Sequence, residues 1–361
     1  MTLSLRWEAC VRTRSTSAAC RACVDACPTG AITLDGPRSS VKVELAACTR
    51  CGLCQPACPD EAFSGVADVG AFMATAGPSL ACGPTLCLQV LAVEDLITLA
   101  LRHGNVKVDG AGCQACREHR AVVLERLEQA NTFLLASGFE ARLVTVVKPG
   151  AAPVLPEKPA VADSRRALLR RLLPGLAPAP STAGPLALAP LGAGTLEPSR
   201  LRERPLPARR ERLLAALKHV TRARPPAVLE ADEVPFTSLK ALDVVTCTGC
   251  MQCVSVCPTA ALTASRAQDE VRFETGRCLK CRACHDACAP GSITVAKRFE
   301  PARFLESQPV SLARFQVKDC GECGARFKYD GGDALCPRCI GQDDEARALH
   351  GLPPRPPGAS A

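Results

Sequence analysis

The chain has 361 residues, of which 24 are cysteine, and a formal net charge of +8. Nearly all the cysteines stand in C-x2-C or C-x3-C groups, which excludes a secreted disulfide scaffold and indicates metal-binding thiolates in a reducing compartment. Aromatic residues make up only 3% of the chain, which argues against the stacking of single-stranded nucleic acid.

The first 65 residues contain two cysteine runs separated by a predicted hairpin. The runs cover Cys10–Cys27 and Cys48–Cys58. Between them, "AITL" and "VKVEL" flank the turn-rich stretch "DGPRSS", which is typical of a small β-hairpin. The first run has Ser17 where its spacing would call for another cysteine. We expect residues 1–65 to form one domain.

Residues 76–148 predict a small α/β unit. "VEDLITLALRHG" and "REHRAVVLERLEQANTFLLASG" are typical of helices, and "VKVDG" and "ARLVTVV" are typical of strands. Such alternation predicts a parallel sheet. Cys82 and Cys87 would follow one strand, and Cys113 and Cys116 another, at the sheet edge where these folds place ligands.

Residues 149–236 have the composition of a linker rich in Pro, Ala, Leu and Arg. "RRALLRRLL" and "PARRERLLAALKHV" predict short basic helices in an otherwise extended segment. The uncharged stretch from Leu172 to Leu196 is interrupted by prolines and does not predict a membrane span. With no secretion signal apparent at the N-terminus, we expect a cytoplasmic protein.

The C-terminal third repeats the cysteine pattern of the first domain. Within residues 237–300, the runs Cys247–Cys257 and Cys278–Cys288 enclose "ALTAS" and "VRFE", and "SITVA" follows the second run. Residues 315–341 then predict a compact unit with two cysteine knuckles. Residues 342–361 are predicted to be a disordered tail.

Three of the cysteine runs have the spacing C-x2-C-x2-C-x3-C. "CTRCGLCQPACP" and "CTGCMQCVSVCP" end in the proline typical of this run, and "CLKCRACHDACAP" has one residue inserted before it. Three closely spaced thiolates can hold three iron corners of a [4Fe–4S] cube, and the fourth cysteine lies farther along. The runs resemble those of bacterial two-cluster ferredoxins, over residues 1–65 and again over residues 237–300.

The resemblance implies that the last cysteine of each run binds the neighbouring cluster, with four [4Fe–4S] clusters in all. The implied ligand sets are Cys247, Cys250, Cys253 and Cys288; Cys278, Cys281, Cys284 and Cys257; Cys48, Cys51, Cys54 and Cys27; and Cys20, Cys23 and Cys58 with one further ligand.

Three candidates exist for that further ligand. Cys10 can complete the site if the polar stretch "VRTRSTSAA" loops out, which would also set Arg12 and Arg14 beside the cluster. Ser17, at the usual position of the family, could bind through its alkoxide, and a three-iron cluster needs no ligand there. Counting favours Cys10, because four clusters, the knuckles and the central cysteines then use all 24 thiols.

Two further sites hold the remaining cysteines. The knuckles at Cys320, Cys323, Cys336 and Cys339 resemble zinc ribbons and, less closely, rubredoxins, so we expect zinc, with a single redox iron as the alternative. Residues 76–148 resemble the small iron–sulfur subunit of hydrogenases (the methyl-viologen-reducing hydrogenase delta family), which implies a [2Fe–2S] cluster at the central four cysteines. Zinc, with His119 replacing one thiolate, and a Cys113–Cys116 disulfide are the alternatives.

The expected fold class is α+β: two ferredoxin-like domains flank an α/β unit and a linker, with a zinc-ribbon-like module at the C-terminus. Four thiolate-bound clusters at about −2 each would offset the positive charge, which weakens the case for nucleic-acid binding. No catalytic motif is apparent, so we expect an electron-transfer subunit rather than a chain with its own catalytic site. Its expected partners are redox proteins, such as hydrogenase-, formate dehydrogenase- or heterodisulfide-reductase-like subunits.

Two alternatives remain at this point. One is a redox-sensing or nucleic-acid-binding regulator in which clusters and zinc are structural. The other is an enzyme whose active site forms only with a partner.

Overall fold

The computed structural model describes residues 3–34, 41–83, 86–109, 120–146 and 204–353. Helices and short strands are mixed in a pattern consistent with the α+β class. Of the predicted features, Cys113, Cys116, His119 and most of the expected linker lie outside the described residues. None of the helices in the described ranges is long and apolar enough to cross a membrane.

The N-terminal domain is built from two small antiparallel ladders and two single-turn helices. Its elements are β1 (Ser4–Leu5), α1 (Ala22–Asp25), β2 (Ile32–Leu34), β3 (Val41–Val43), α2 (Cys54–Ala57) and β4 (Phe63–Ser64). β1 pairs with β4, and β2 pairs with β3 as the predicted hairpin. Leu5, Ile32, Val41 and Phe63 form its core together with buried cysteines.

The central unit is a three-stranded parallel sheet with helices packed against it. Its elements are α3 (Val69–Thr75), β5 (Ser79–Ala81), α4 (Val93–His103), β6 (Asn105–Asp109), α5 (Arg120–Ala136) and β7 (Arg142–Val146). The strand order is β5-β6-β7, with both pairs parallel. Residues 93–101 of α4 are buried all round the helix, and Ile97 and Leu99 are fully covered, whereas its amphipathic pattern predicts a single buried face.

A helix from the expected linker belongs to this central core. Helix α6 (Ala208–Leu217) forms where the sequence predicted a short basic helix, but it packs on α4 rather than standing in an extended segment. Leu213 is completely buried, and so are the side chains of Arg209 and Arg210. This part of residues 149–236 therefore differs from the expectation, because ion pairs with Glu94 and hydrogen bonds to carbonyl groups offset the cost of burying the guanidinium groups.

The C-terminal domain repeats the ferredoxin-like pattern with three more strands and one more helix than the N-terminal domain. Its elements are β8 (Leu229–Glu230), β9 (Lys240–Leu242), α7 (Gln252–Ser255), β10 (Leu262–Ala264), β11 (Glu270–Phe273), α8 (Ala283–Asp286), β12 (Ile293–Val295), β13 (Arg298–Phe299), α9 (Pro301–Glu306) and β14 (Val310–Arg314). β9 pairs with β12, β8 with β13, and β10, β11 and β14 form one sheet.

Aromatic packing joins this domain to the central unit. Phe133 of α5 meets Phe236, Phe299 and Phe304, with ring centroids 5.0, 6.4 and 5.6 Å apart. All four rings belong to the largest buried apolar cluster of the described residues. The buried core of the central unit is thus completed by residues of the C-terminal domain.

The last unit is a β-hairpin followed by a helix. Its elements are β15 (Val317–Asp319), β16 (Arg326–Lys328) and α10 (Pro337–Leu349). The helix differs from the prediction of a disordered tail over residues 342–361 at positions 342–349, which are helical, while residues 354–361 lie outside the described residues. Ion pairing between Arg347 and Asp343, at 3.0 Å, supports its last turns.

Candidate metal centres

Four thiols of the N-terminal domain surround one small cavity. Cys10, Cys20, Cys23 and Cys58 line it, together with apolar side chains such as that of Phe63. Burial, together with the nearby sulfur atoms of Cys58 and Cys20, raises the pKa of Cys10 to about 11 and that of Cys23 to about 12. Four thiols so close together, three of them buried, can ionise together only beside a cation. The donor set therefore fits a cationic iron–sulfur core.

Cys10 reaches this cavity because the segment after it forms a compact loop. Two successive 3-10 turns, Trp7–Ala9 and Val11–Thr13, flank Cys10. The guanidinium group of Arg12 donates hydrogen bonds to the carbonyl groups of Ala18 and Cys20, at 2.8 and 3.1 Å, and so closes the loop.

Ser17 lies on the outside of the same loop. Its side chain is exposed, and its hydroxyl group lies 2.7 Å from that of Ser15. The structure thus brings Cys10, and not Ser17, to the other three thiols.

A second thiol group in this domain consists of Cys27, Cys48, Cys51 and Cys54. Burial raises the pKa of Cys54 to about 12, and the sulfur atoms of Cys51, Cys48 and Cys27 contribute. Three members come from one run and the fourth from the end of the other run. This is the crossed arrangement that the ferredoxin resemblance implies.

The C-terminal domain contains the same two arrangements. Cys257, Cys278, Cys281 and Cys284 line a cavity with Leu262 and Phe273. Burial raises the pKa of Cys253 to about 12, and the sulfur atoms of Cys284, Cys247, Cys250 and Cys288 add to this effect. Each thiol group again combines one run with the last cysteine of the other.

The two domains touch through the cysteine loops that surround these cavities. The main-chain amide of Ala19 donates a hydrogen bond of 2.8 Å to the carboxylate of Asp286. Arg14 comes close to the other domain: burial lowers its pKa, while the charges of Asp60, Cys257 and Cys281 act in the opposite direction. The cavity of Cys10 and the cavity of Cys278 therefore lie on facing sides of the domain contact.

The C-terminal knuckles form a compact site of four sulfur atoms. The sulfur atoms of Cys320, Cys323, Cys336 and Cys339 all lie within 4.8 Å of one another, with Cys323 and Cys336 at 3.7 Å. Tetrahedral zinc with Zn–S bonds of about 2.3 Å places its sulfur atoms about 3.8 Å apart, so the geometry fits a single metal ion. Hydrogen bonds from the main-chain amides of Cys323 and Cys336 lower the pKa of Cys320 to about 6, which favours the thiolate.

The knuckle unit packs against the C-terminal domain that contains Cys247. The ammonium group of Lys328 donates to the carbonyl groups of Val244 and Cys247, at 2.9 and 3.1 Å. Gly249 lies so close that an added Cβ atom would stand 2.8 Å from Cβ of Lys328. The four-sulfur site therefore neighbours the thiol group that contains Cys247.

The central cysteines are only half described. The sulfur atoms of Cys82 and Cys87 lie 3.9 Å apart, and the main-chain amide of Leu88 donates to the sulfur of Cys82. Burial raises the pKa of Cys87, and the sulfur atoms of Cys82 and Cys51 contribute. The pair thus lies beside the thiol group of Cys51, whereas its expected partners Cys113 and Cys116 lie outside the described residues.

The buried arginines of α6 are not among the functional residues predicted from the sequence. Their only local signal is the pair of adjacent arginines in "PARRERLL", a pattern more often typical of an exposed basic helix. Their partners lie far away in the sequence, so no short motif reveals them.

The paired thiol groups define an iron–sulfur protein, and the family comparison agrees. Residues 18–62 and 246–290 each match the model of the 4Fe-4S dicluster domain. The first match begins after Ser17 and does not include Cys10. No curated protein matches the chain. The chain thus contains two iron–sulfur dicluster domains and a C-terminal four-cysteine cluster, and the dicluster domains support a role in electron transfer.

Proposed function

We propose that the chain is a relay subunit that passes single electrons through four [4Fe–4S] clusters within a larger redox complex. A bound cluster of this type supplies a core that gains and releases one electron with little change in geometry. The single observation that carries the proposal is that the thiol groups of the two dicluster domains meet across the contact of Ala19 with Asp286.

The contacts between neighbouring sites support a linear order of centres. Cys87 lies beside Cys51, whose group shares its domain with the Cys10 group. The Cys10 group faces the group of Cys278 across the domain contact. The group of Cys247 follows, and Lys328 ties it to the C-terminal knuckles. A linear order suits a relay between two partners better than a free shuttle that binds one partner at a time.

We assign the thiol groups to clusters as the ferredoxin resemblance implies, with Cys10 as the ligand displaced from the family position. Zinc is the metal proposed for the knuckles, where it would hold the hairpin against the outer cluster. The central cysteines would hold a [2Fe–2S] cluster, by their resemblance to the hydrogenase small subunit. Redox proteins are the proposed partners at the two ends of the series.

Anaerobic purification, with iron, sulfide and zinc analysis and EPR during stepwise reduction, tests this proposal. We expect about sixteen cubane irons per chain, with signals that appear in successive reduction steps. Colourless protein that contains zinc alone, or clusters that no low-potential reductant can reduce, would contradict it.

A further inference from the structure

A buried ion-pair bridge connects the two dicluster domains. Arg209 and Arg210 of α6 are 4% and 0% exposed, although arginine is seldom buried so completely. Both pair with one carboxylate: Nε of each lies 3.0 Å from an oxygen atom of Glu94 on α4. Glu94 is therefore shared by two adjacent guanidinium groups.

The two arginines reach different domains. The guanidinium group of Arg209 donates to the carbonyl group of Cys58, in the N-terminal domain. That of Arg210 donates to the carbonyl groups of Gly276 and Cys278, each at 2.8 Å, in the C-terminal domain. Cys58 and Cys278 belong to the two thiol groups that face each other across the domain contact.

The chemistry of the bridge makes it rigid. A guanidinium group is planar and donates several hydrogen bonds in fixed directions. Arg210 therefore fixes the carboxylate of Glu94 and its own carbonyl partners together, whereas Arg209 attracts that carboxylate by charge and hydrogen-bonds to the carbonyl group of Cys58. Burial of such charges is costly unless every charge is paired, and a break at one point leaves the others uncompensated. The bridge therefore has few alternative geometries.

We infer that Glu94, Arg209 and Arg210 are positioning residues that fix the spacing of the two inner clusters and so control electron transfer between the domains. The inference rests on the proposed function, because it supposes that clusters occupy both thiol groups. The inference adds to the proposed function that the distance between the two inner clusters is set by helices α4 and α6, which lie outside both cysteine-rich domains. The carbonyl contacts place both ligand loops relative to the same carboxylate.

The R210K variant tests the inference. Lysine keeps the charge but has a single ammonium group, so it cannot serve Glu94, Cys278 and Phe236 at once. R209K makes the equivalent change toward Cys58. The matched control is R212K, because Arg212 on the same helix pairs at 2.8 Å with Asp95 of α4, outside both cysteine-rich domains.

The readout is the magnetic interaction between the inner clusters in fully reduced protein, measured as broadening of the EPR signals. We expect all variants to retain their iron, R210K and R209K to lose much of the broadening, and R212K to keep it. The redox potentials should change little, since the charge is conserved. If R210K and R209K only lower the melting temperature, as R212K does, the ion pairs are merely structural and the inference is overturned.

A second variant covers the case in which R210K does not fold. E94D keeps the carboxylate but shortens it by one methylene group, and we expect it to reduce the same broadening. If R210K retains its iron and its EPR broadening is unchanged, the inference is overturned but the proposed function is not. If R210K does not fold, the same result in E94D has the same meaning. A wild-type protein without clusters would overturn the proposed function as well.

Discussion

The main-chain amide of Ala19 donates a hydrogen bond to the carboxylate of Asp286, 267 positions later in the sequence. Ala19 belongs to the loop that brings Cys10 to its cavity, and Asp286 ends helix α8 between two cysteines of the other domain. The loop that brings Cys10 to its cavity in the N-terminal domain therefore also forms the contact with the C-terminal domain.

Loss of this carboxylate should loosen the domain contact. In D286A, we expect faster hydrogen exchange at the amide of Ala19, because its acceptor is gone. Asp25 provides a matched control, since it ends the equivalent helix α1 and pairs with Arg21 of its own domain, at 3.5 Å on the surface. Unchanged exchange in D286A, or an equal change in D25A, would contradict the contact.

The second prediction concerns the ligand at position 10. C10A should lose iron from one cluster, giving a three-iron signal in the oxidised protein, because its thiol lines the same cavity as Cys20 and Cys58. S17A should retain all of its iron, because that hydroxyl group points to Ser15. Iron analysis and EPR measure both. Full cubane iron in C10A would refute the assignment.

The third prediction separates the knuckle site from the clusters. C336S should lose one zinc ion per chain and leave the cubane iron unchanged, because its four sulfur atoms form a site of their own. Metal analysis measures both. Loss of one iron rather than zinc would favour the rubredoxin-like alternative, and loss of cubane iron would show that the two kinds of site depend on each other.

Removal of Phe304 should destabilise the central core. Its ring is fully buried and packs against those of Phe133 and Phe236. F304A should therefore lower the free energy of unfolding by about 3–5 kcal/mol. Leu349 is 85% exposed and gives the control L349A, with an expected change within about 0.5 kcal/mol. Denaturant unfolding followed by circular dichroism compares them, and equal effects would place Phe304 outside the core.

The fifth prediction is a pH dependence at Glu270. Hydrogen bonds from Arg272 and Ser311 lower its pKa from 4.5 to about 2. A carboxyl group with a lowered folded-state pKa adds stability above pH 4.5 and loses it as the pH falls toward 2. The melting temperature of wild type should thus exceed that of E270Q at pH 6, and the difference should shrink below pH 4.5.

High salt should also reduce this difference, because Arg314, one of its partners, is mostly exposed. A constant difference over the whole pH range would show that Glu270 acts through packing and not through its charge.

The sequence predicts the parts of this molecule that depend on local chemistry. Thiolates that hold an iron cube need fixed spacing, so the cysteine runs reveal the dicluster domains directly. The β2–β3 hairpin and helix α4 follow from turn residues and apolar periodicity. These features need no knowledge of distant contacts.

The parts that it could not predict depend on partners far away in the chain. Helix α6 has a basic, weakly amphipathic sequence, and its burial depends on partners that are distant in the sequence, such as Glu94, Asp95 and the core around Leu213. Helix α10 continues past the knuckles, with a small contribution from the ion pair of Arg347 with Asp343 one turn earlier, whereas the polar sequence suggested no order. The thiol groups of Cys10 and Cys278 face each other because of a contact between separate domains, which no local sequence pattern reveals.

The four-phenylalanine cluster has a consequence for attempts to divide the molecule. Phe236, Phe299 and Phe304 come from the C-terminal domain, yet they complete the core around Phe133. A truncation that ends after the central unit would expose that core to water, although each ferredoxin motif looks self-contained in the gene. Expression of either half by itself should therefore give aggregation-prone protein, and only co-expression of both fragments should restore a folded particle.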